Sequence, residues 1–121
     1  MILVDSSVWI DHLRRPQERL LTLLDDDMVI THTFIIGEIA LGHVRERGRM
    51  IAFLELLRRA VEPRGNEMLE FIRRHRLFGR GLGYVDVNLL LSAVLTPNAR
   101  LWSEDKALRQ AAKDLSVGFE P

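Results

Sequence analysis

Four of the chain's 17 acidic residues, Asp5, Glu38, Asp86 and Asp105, differ from the rest in what flanks them. Most acids of a soluble domain are solvated, so an informative one sits among residues that belong in a core. Glu38 lies in the run TFIIGEIALG from Thr33 to Gly42, with Phe34, Ile35, Leu41 and Gly42 as its helical neighbours. An unpaired carboxylate on such a face is costly and is expected to be protonated or to meet a cation. Asp86 has Leu82, Leu89 and Leu90 around it at helical spacing, and a place in a first helical turn also favours negative charge without any metal. Asp5 and Asp105 each follow a short apolar run, Ile2 to Val4 and Leu101 to Ser103, and each precedes a helix. Singly, either acid reads equally as a cap. One metal cluster explains all four, and oxygen ligands without His or Cys indicate Mg2+ or Mn2+ rather than zinc. Two ions, or one ion and a basic group, would balance four carboxylates. The chemistry expected of such a centre is attack of activated water on a phosphodiester.

Those acids need elements to deliver them. Ile2 to Val4 reads as a buried strand, with Asp5, Ser6 and Ser7 as capping residues for a helix carrying Trp9, Ile10 and Leu13. Pro16 suits the first position of a second helix, closed by Asp25 to Asp27. Met28 to Thr31 reads as a strand, and Thr33 as the cap of the helix bearing Glu38. Helical patterns run from Met50 to Ala60 and from Glu67 to Leu77, with Pro63 and Gly65 between them and Val61 as the expected start of a short strand. A glycine-rich loop, Phe78 to Gly83, leads into a helix from Tyr84 to Leu95, closed by Pro97. Leu101 to Ser103 predicts a strand, Lys106 to Lys113 a helix, and Val117 to Phe119 a last strand. Alternating strands and helices predict an α/β fold with a parallel sheet covered on both faces. Acids just past strand ends then fall on the ligand-binding edge.

The whole composition fits one domain spanning residues 1–121, with 47% hydrophobic residues. Cysteine is absent, which removes disulfides, thiolate zinc sites and a cysteine nucleophile and suits a reducing cytosol. No apolar run approaches the roughly 18 residues a membrane span needs, and the N-terminus lacks a secretory pattern. The expectation is a cytoplasmic protein. The net charge of +0 is unevenly spread: residues 1 to 44 hold three Arg against seven acids, and residues 45 to 80 hold ten Arg against five. Fifteen of the 17 basic residues are Arg, whose planar fork suits phosphate oxygens, although solvated helix faces would look the same.

In these motifs the chain resembles the PIN-domain ribonucleases, and more narrowly the VapC toxins of bacterial toxin–antitoxin pairs. The carriers are MILVDSSVWI at the start, IGEIALG around Glu38, GRGLGYVD ending at Asp86, and LWSEDKAL around Asp105, so the likeness covers nearly the whole chain. It implies an α/β/α sandwich with a central parallel sheet of about four to five strands. It maps the family's acids onto Asp5, Glu38, Asp86 and Asp105 as catalytic residues and metal ligands, and its small hydroxyl positions onto Ser6 and Ser103. The last two would orient carboxylates or water, or simply cap. It further implies an endoribonuclease toxin acting on tRNA or ribosomal RNA, leaving a 3′ hydroxyl and a 5′ phosphate. Its partners would be a VapB-type antitoxin and a second copy of the chain. Asn88 departs from the His that close relatives commonly carry there.

Arg80, in the glycine loop, is the best candidate for a phosphate contact, ahead of Arg73, Arg74 and Arg76. His12, His32, His43 and His75 share no metal-ligand spacing and read as surface or packing residues, and Trp9 and Trp102 read as core. A phosphotransfer signalling domain needs adjacent acids after the first strand, and a haloacid-dehalogenase-type phosphatase needs Asp where Ser7 stands. The remaining alternative is a catalytically silent partner-binding module, which leaves four costly carboxylates unexplained.

Overall fold

The first strand, β1 (Ile2–Val4), is fully buried, as a three-residue apolar run between two neighbours must be. A computed structural model describes all residues from Met1 to Pro121. After β1 come α1 (Ser6–Arg14), α2 (Glu18–Asp25), β2 (Val29–Thr31), α3 (Thr33–Leu41), α4 (Arg47–Leu56), β3 (Arg58–Arg59), α5 (Gly65–His75), α6 (Tyr84–Leu95), β4 (Arg100–Trp102) and α7 (Lys106–Asp114). The sheet order is β3-β2-β1-β4, and every pairing is parallel. Seven helices around a four-stranded parallel sheet make the α/β/α sandwich expected of the PIN type.

The order of the strands decides where a ligand can sit. From β1 the chain steps outward to β2 and then β3, and only afterwards returns to place β4 on the other side of β1. Connections leaving β1 and β4 thus diverge, and the crevice beyond their carboxyl ends is the topological switch point of the sheet. One apolar cluster of 27 buried residues underlies it, including Leu3, Trp9, Leu90, Leu101 and Trp102. Buried positions on α6 run without a break from Val87 to Ala93, as an almost wholly apolar helix requires.

Several sequence expectations shift at element ends. Pro16 lies before α2, whose N-cap is Gln17. His32 rather than Thr33 caps α3, its Nδ1 accepting the Phe34 N–H at 2.9 Å. The fourth helix ends at Leu56, and the third strand is Arg58–Arg59 rather than a segment from Val61. Both strand residues are exposed arginines, so no hydrophobic pattern marked them; pairing with β2 makes the strand. The last predicted strand reduces to a parallel bridge between Leu101 and Gly118. Two bonds sustain it, Leu101 N–H to Val117 O at 2.7 Å and Phe119 N–H to Leu101 O at 2.9 Å. The loop before α6 turns through Gly79 and Gly81 at φ 70° and 76°, a region that favours glycine.

Candidate active site

Asp5 is where β1, α1 and the end of β4 meet. Its backbone N–H donates to Trp102 O at 2.9 Å, continuing the β1–β4 ladder by one residue. Its side chain caps α1 by accepting the Ser6 N–H through Oδ1 at 2.8 Å. Oδ2 accepts two hydroxyls, from Ser7 at 2.8 Å and from Ser103 at 2.7 Å. Each serine in turn accepts a backbone N–H from the β4–α7 connection, Ser7 from Glu104 and Ser103 from Asp105, both at 3.0 Å. A buried carboxylate survives in this way, by accepting from several donors at once. Sequence reasoning saw Ser7 only as a capping residue. Its role depends on β4 lying beside β1, which no local pattern announces.

The other three acids arrive from separate directions. Glu38 sits on α3 and accepts Ser6 Oγ through Oε1 at 3.0 Å. Asp86, in the first turn of α6, accepts the Gly83 N–H at 3.0 Å, the return half of a capping box. Asp105 caps α7, accepting the Leu108 N–H at 2.9 Å. The expectation that all four are shielded from water is corrected. Asp5 is buried at 5% exposure, Asp86 is half-buried, and Glu38 and Asp105 are exposed. The buried stripe of α3 is Ile35 and Ile39, while Phe34 and Leu41 on the Glu38 side also face out. Glu38 therefore stands on the rim of the crevice, not inside the core.

Electrostatics still tie the four together. Although Glu38 as a whole residue is exposed, desolvation of its carboxyl by its surroundings raises it above its ordinary value despite the Ser6 bond, and the charges of Asp5 and Asp86 push it further. The Asp86 carboxyl is likewise raised, first by burial and then by the charges of Asp105 and Asp5, against the Gly83 bond. Each acid is thus within reach of at least one other's field. No three acidic or imidazole groups already converge as ligands of one ion, so the quartet gathers about the switch point without closing on a point.

None of the four acids has a cationic side chain as a close partner. The five ion pairs are Arg49–Glu46, Arg58–Asp27, Arg73–Glu70, Arg80–Asp114 and Arg109–Glu120, and none uses the four acids. An all-oxygen, like-charged, unpaired set fits a hard divalent cation such as Mg2+ or Mn2+. Arg80, the candidate for a phosphate contact, donates to Asp114 at the end of α7 at 2.7 Å. Of the histidines, His32 is buried at 1% exposure as the α3 cap, and none joins the acids.

The structure also makes Asp5 a poor choice for separating chemistry from folding. Asp5→Ala orphans the Ser6 N–H and the hydroxyls of Ser7 and Ser103. We expect it to lower stability by about 2 kcal/mol even with metal absent. Thermal unfolding in EDTA measures this, and a wild-type melting temperature would contradict the proposed strut.

Comparison with known proteins finds no matching protein-family model and no matching solved structure. Among curated proteins the chain is similar to "Ribonuclease VapC32" of Mycobacterium tuberculosis, in strains CDC 1551 / Oshkosh and ATCC 25618 / H37Rv. Identity to each is 45% over 119 residues, covering 98% of this chain and 96% of the relative.

Proposed function

We propose that this chain, which belongs to the VapC family of PIN-domain ribonucleases, is a Mg2+- or Mn2+-dependent endoribonuclease acting as the toxin of a type II toxin–antitoxin pair. The observation that carries it is the acidic quartet at the switch point of the sheet, in a chain whose five ion pairs all lie elsewhere. Asp5, Glu38, Asp86 and Asp105 would hold the ion, and when bound it supplies the Lewis-acid charge for hydrolysis of a phosphodiester. Ser7 and Ser103 fix the rotamer of Asp5, and Ser6 orients Glu38. Gly83 and Leu108 N–H groups hold Asp86 and Asp105. The substrate is tRNA or ribosomal RNA, the partner a VapB-type antitoxin, and the working form a homodimer. No helix is long and apolar enough to cross a membrane.

Incubation of the purified protein with total RNA and Mn2+ or Mg2+, with EDTA and Asp86→Asn as controls, tests this. Metal binding without cleavage would favour the silent module.

Metal binding should also be visible as stability. At a free ion concentration a hundred times the dissociation constant, the gain is about 2.7 kcal/mol. Glu38→Gln should lose most of that gain yet melt higher than wild type in EDTA, because it removes a charge disfavoured first by desolvation and then by the charges of Asp5 and Asp86. Glu38's folded pKa lies above its ordinary 4.5. The stability this group contributes is present below about pH 4.5 and is lost as pH rises through the raised value. The advantage of Glu38→Gln in EDTA therefore grows with pH. A gap that shrinks as pH rises from 4 to 7 would sink this account of the Glu38 charge.

A further inference from the structure

A surface cavity of about 580 Å3 lies along α7, lined by Glu104, Lys106, Arg109, Gln110, Lys113 and Glu120 and by no hydrophobic residue. Lys106, Arg109 and Lys113 stand at i, i+3 and i+7, on one face of the helix. Leu108, Ala111 and Ala112 bury the opposite face, and the three cations are exposed. They span about 10 Å along the helix axis, long enough to meet several successive phosphates of one nucleic-acid strand. The two acids of the lining already have partners: Glu104 accepts the Trp102 Nε1–H and Glu120 pairs with Arg109, each at 3.2 Å. Lys106 and Lys113, the chain's only lysines, take part in no ion pair. Lys113 suits the last turn, where the helix dipole favours a cation, but Lys106 occupies the first position, where the dipole opposes it. The Asp105 carboxylate beside it is turned to the Leu108 N–H. A cation so placed does little for the helix and calls for another cause.

Four acids at the switch point repel a polyanion, so attraction for RNA must come from cations beyond them. Lys106 follows Asp105 directly and begins a row that leads away from it. We propose that the Lys106, Arg109 and Lys113 face of α7 is the track on which the phosphate backbone of the RNA lies as it runs past the metal site. Arg109 exchanges its exposed pair with Glu120, an interaction of little worth, for a phosphate that its planar fork meets at two points. The three side chains bind and position the strand and take no part in breaking the bond. This rests on the ribonuclease reading above.

The test measures binding of a single-stranded RNA oligonucleotide to cleavage-deficient Asp86→Asn protein in EDTA, by fluorescence anisotropy over a range of salt. Adding Lys106→Gln and Lys113→Gln should reduce the slope of log affinity against log salt by about 1.4, at about 0.7 per phosphate contact in a single strand. Binding should then be about tenfold weaker at about 0.15 M salt and nearly unchanged at about 1 M. Oligonucleotides of different sequence should lose affinity alike, because phosphate contacts carry no sequence information. Thermal unfolding should stay at the parent value, since neither lysine has an ion-pair partner to lose. Arg14→Gln with Arg15→Gln removes two exposed charges from the far end of α1 and should cost far less. A slope unchanged by the lysine substitutions overturns the proposal and leaves this face to an acidic protein segment. An equal loss in the arginine pair overturns it too, since net charge alone would then govern binding. A wild-type protein that cleaves no RNA with Mn2+ would instead overturn the ribonuclease reading itself, and this proposal with it.

Discussion

Asp86→Asn is expected to reduce metal-dependent RNA cleavage on the order of a thousandfold while leaving the fold in place. Asparagine has the same shape and keeps an oxygen that can accept the Gly83 N–H, the one hydrogen bond the Asp86 carboxylate makes. What it removes is a negative charge from a half-buried position in the field of Asp105 and Asp5. In metal-free protein that removal relieves repulsion, so stability should be equal or slightly higher. Cleavage of total RNA measured beside thermal unfolding separates the two effects. Activity retained by Asp86→Asn at saturating Mn2+ would remove Asp86 from the metal site. The same substitution at Asp5 is a poorer test, because Asp5 also ties β1, α1 and β4 together.

Trp102→Ala should give the largest loss of stability, about 3–5 kcal/mol. A domain of this kind has roughly 5–15 kcal/mol in total, so the variant would sit near its unfolding limit. Trp102 is 1% exposed, and its ring lies 5.3 Å from that of Phe119 with their planes tilted at 48°. Its Nε1–H donates to Glu104 Oε1 at 3.2 Å, and its carbonyl receives the Asp5 N–H. Truncation opens a cavity at the position immediately before Ser103, so the hydrogen bonds that hold Asp5 should loosen as well. Trp102→Phe retains ring packing and loses only the polar tip, and it should be markedly milder. Chemical denaturation compares them, with equal midpoints for Trp102→Ala and wild type as the contrary result.

Strong local patterns were legible from residue order alone. Ile2 to Val4 and Leu101 to Trp102 are apolar runs next to capping residues, and they became β1 and the core of β4. Tyr84 to Leu95 has helix length and an apolar character on every side, and it became the buried α6. The identity of the four acids came from their apolar flanks together with family likeness. Elements without hydrophobic patterning were not legible. β3 is two exposed arginines made into a strand by β2, and the C-terminal bridge is single because only Gly118 pairs with Leu101.

The acids show the same division. Sequence by itself determined that Asp5 and Asp105 lie between a strand and a helix, that Asp86 opens a helix, and that Glu38 has apolar residues around it. Adjacency along a helix does not say which side of that helix meets the core. The fold places Ile35 and Ile39 inward and leaves Glu38 on the outer side, where its value as a buried acid is lost and its proposed role as a ligand is still open to it. Only the strand order β3-β2-β1-β4 puts the ends of β1 and β4 side by side, and with them Asp5, Ser7 and Ser103. Hydrogen bonds between residues nearly a hundred positions apart follow from which strands are neighbours, a global outcome of packing that local residue order does not encode.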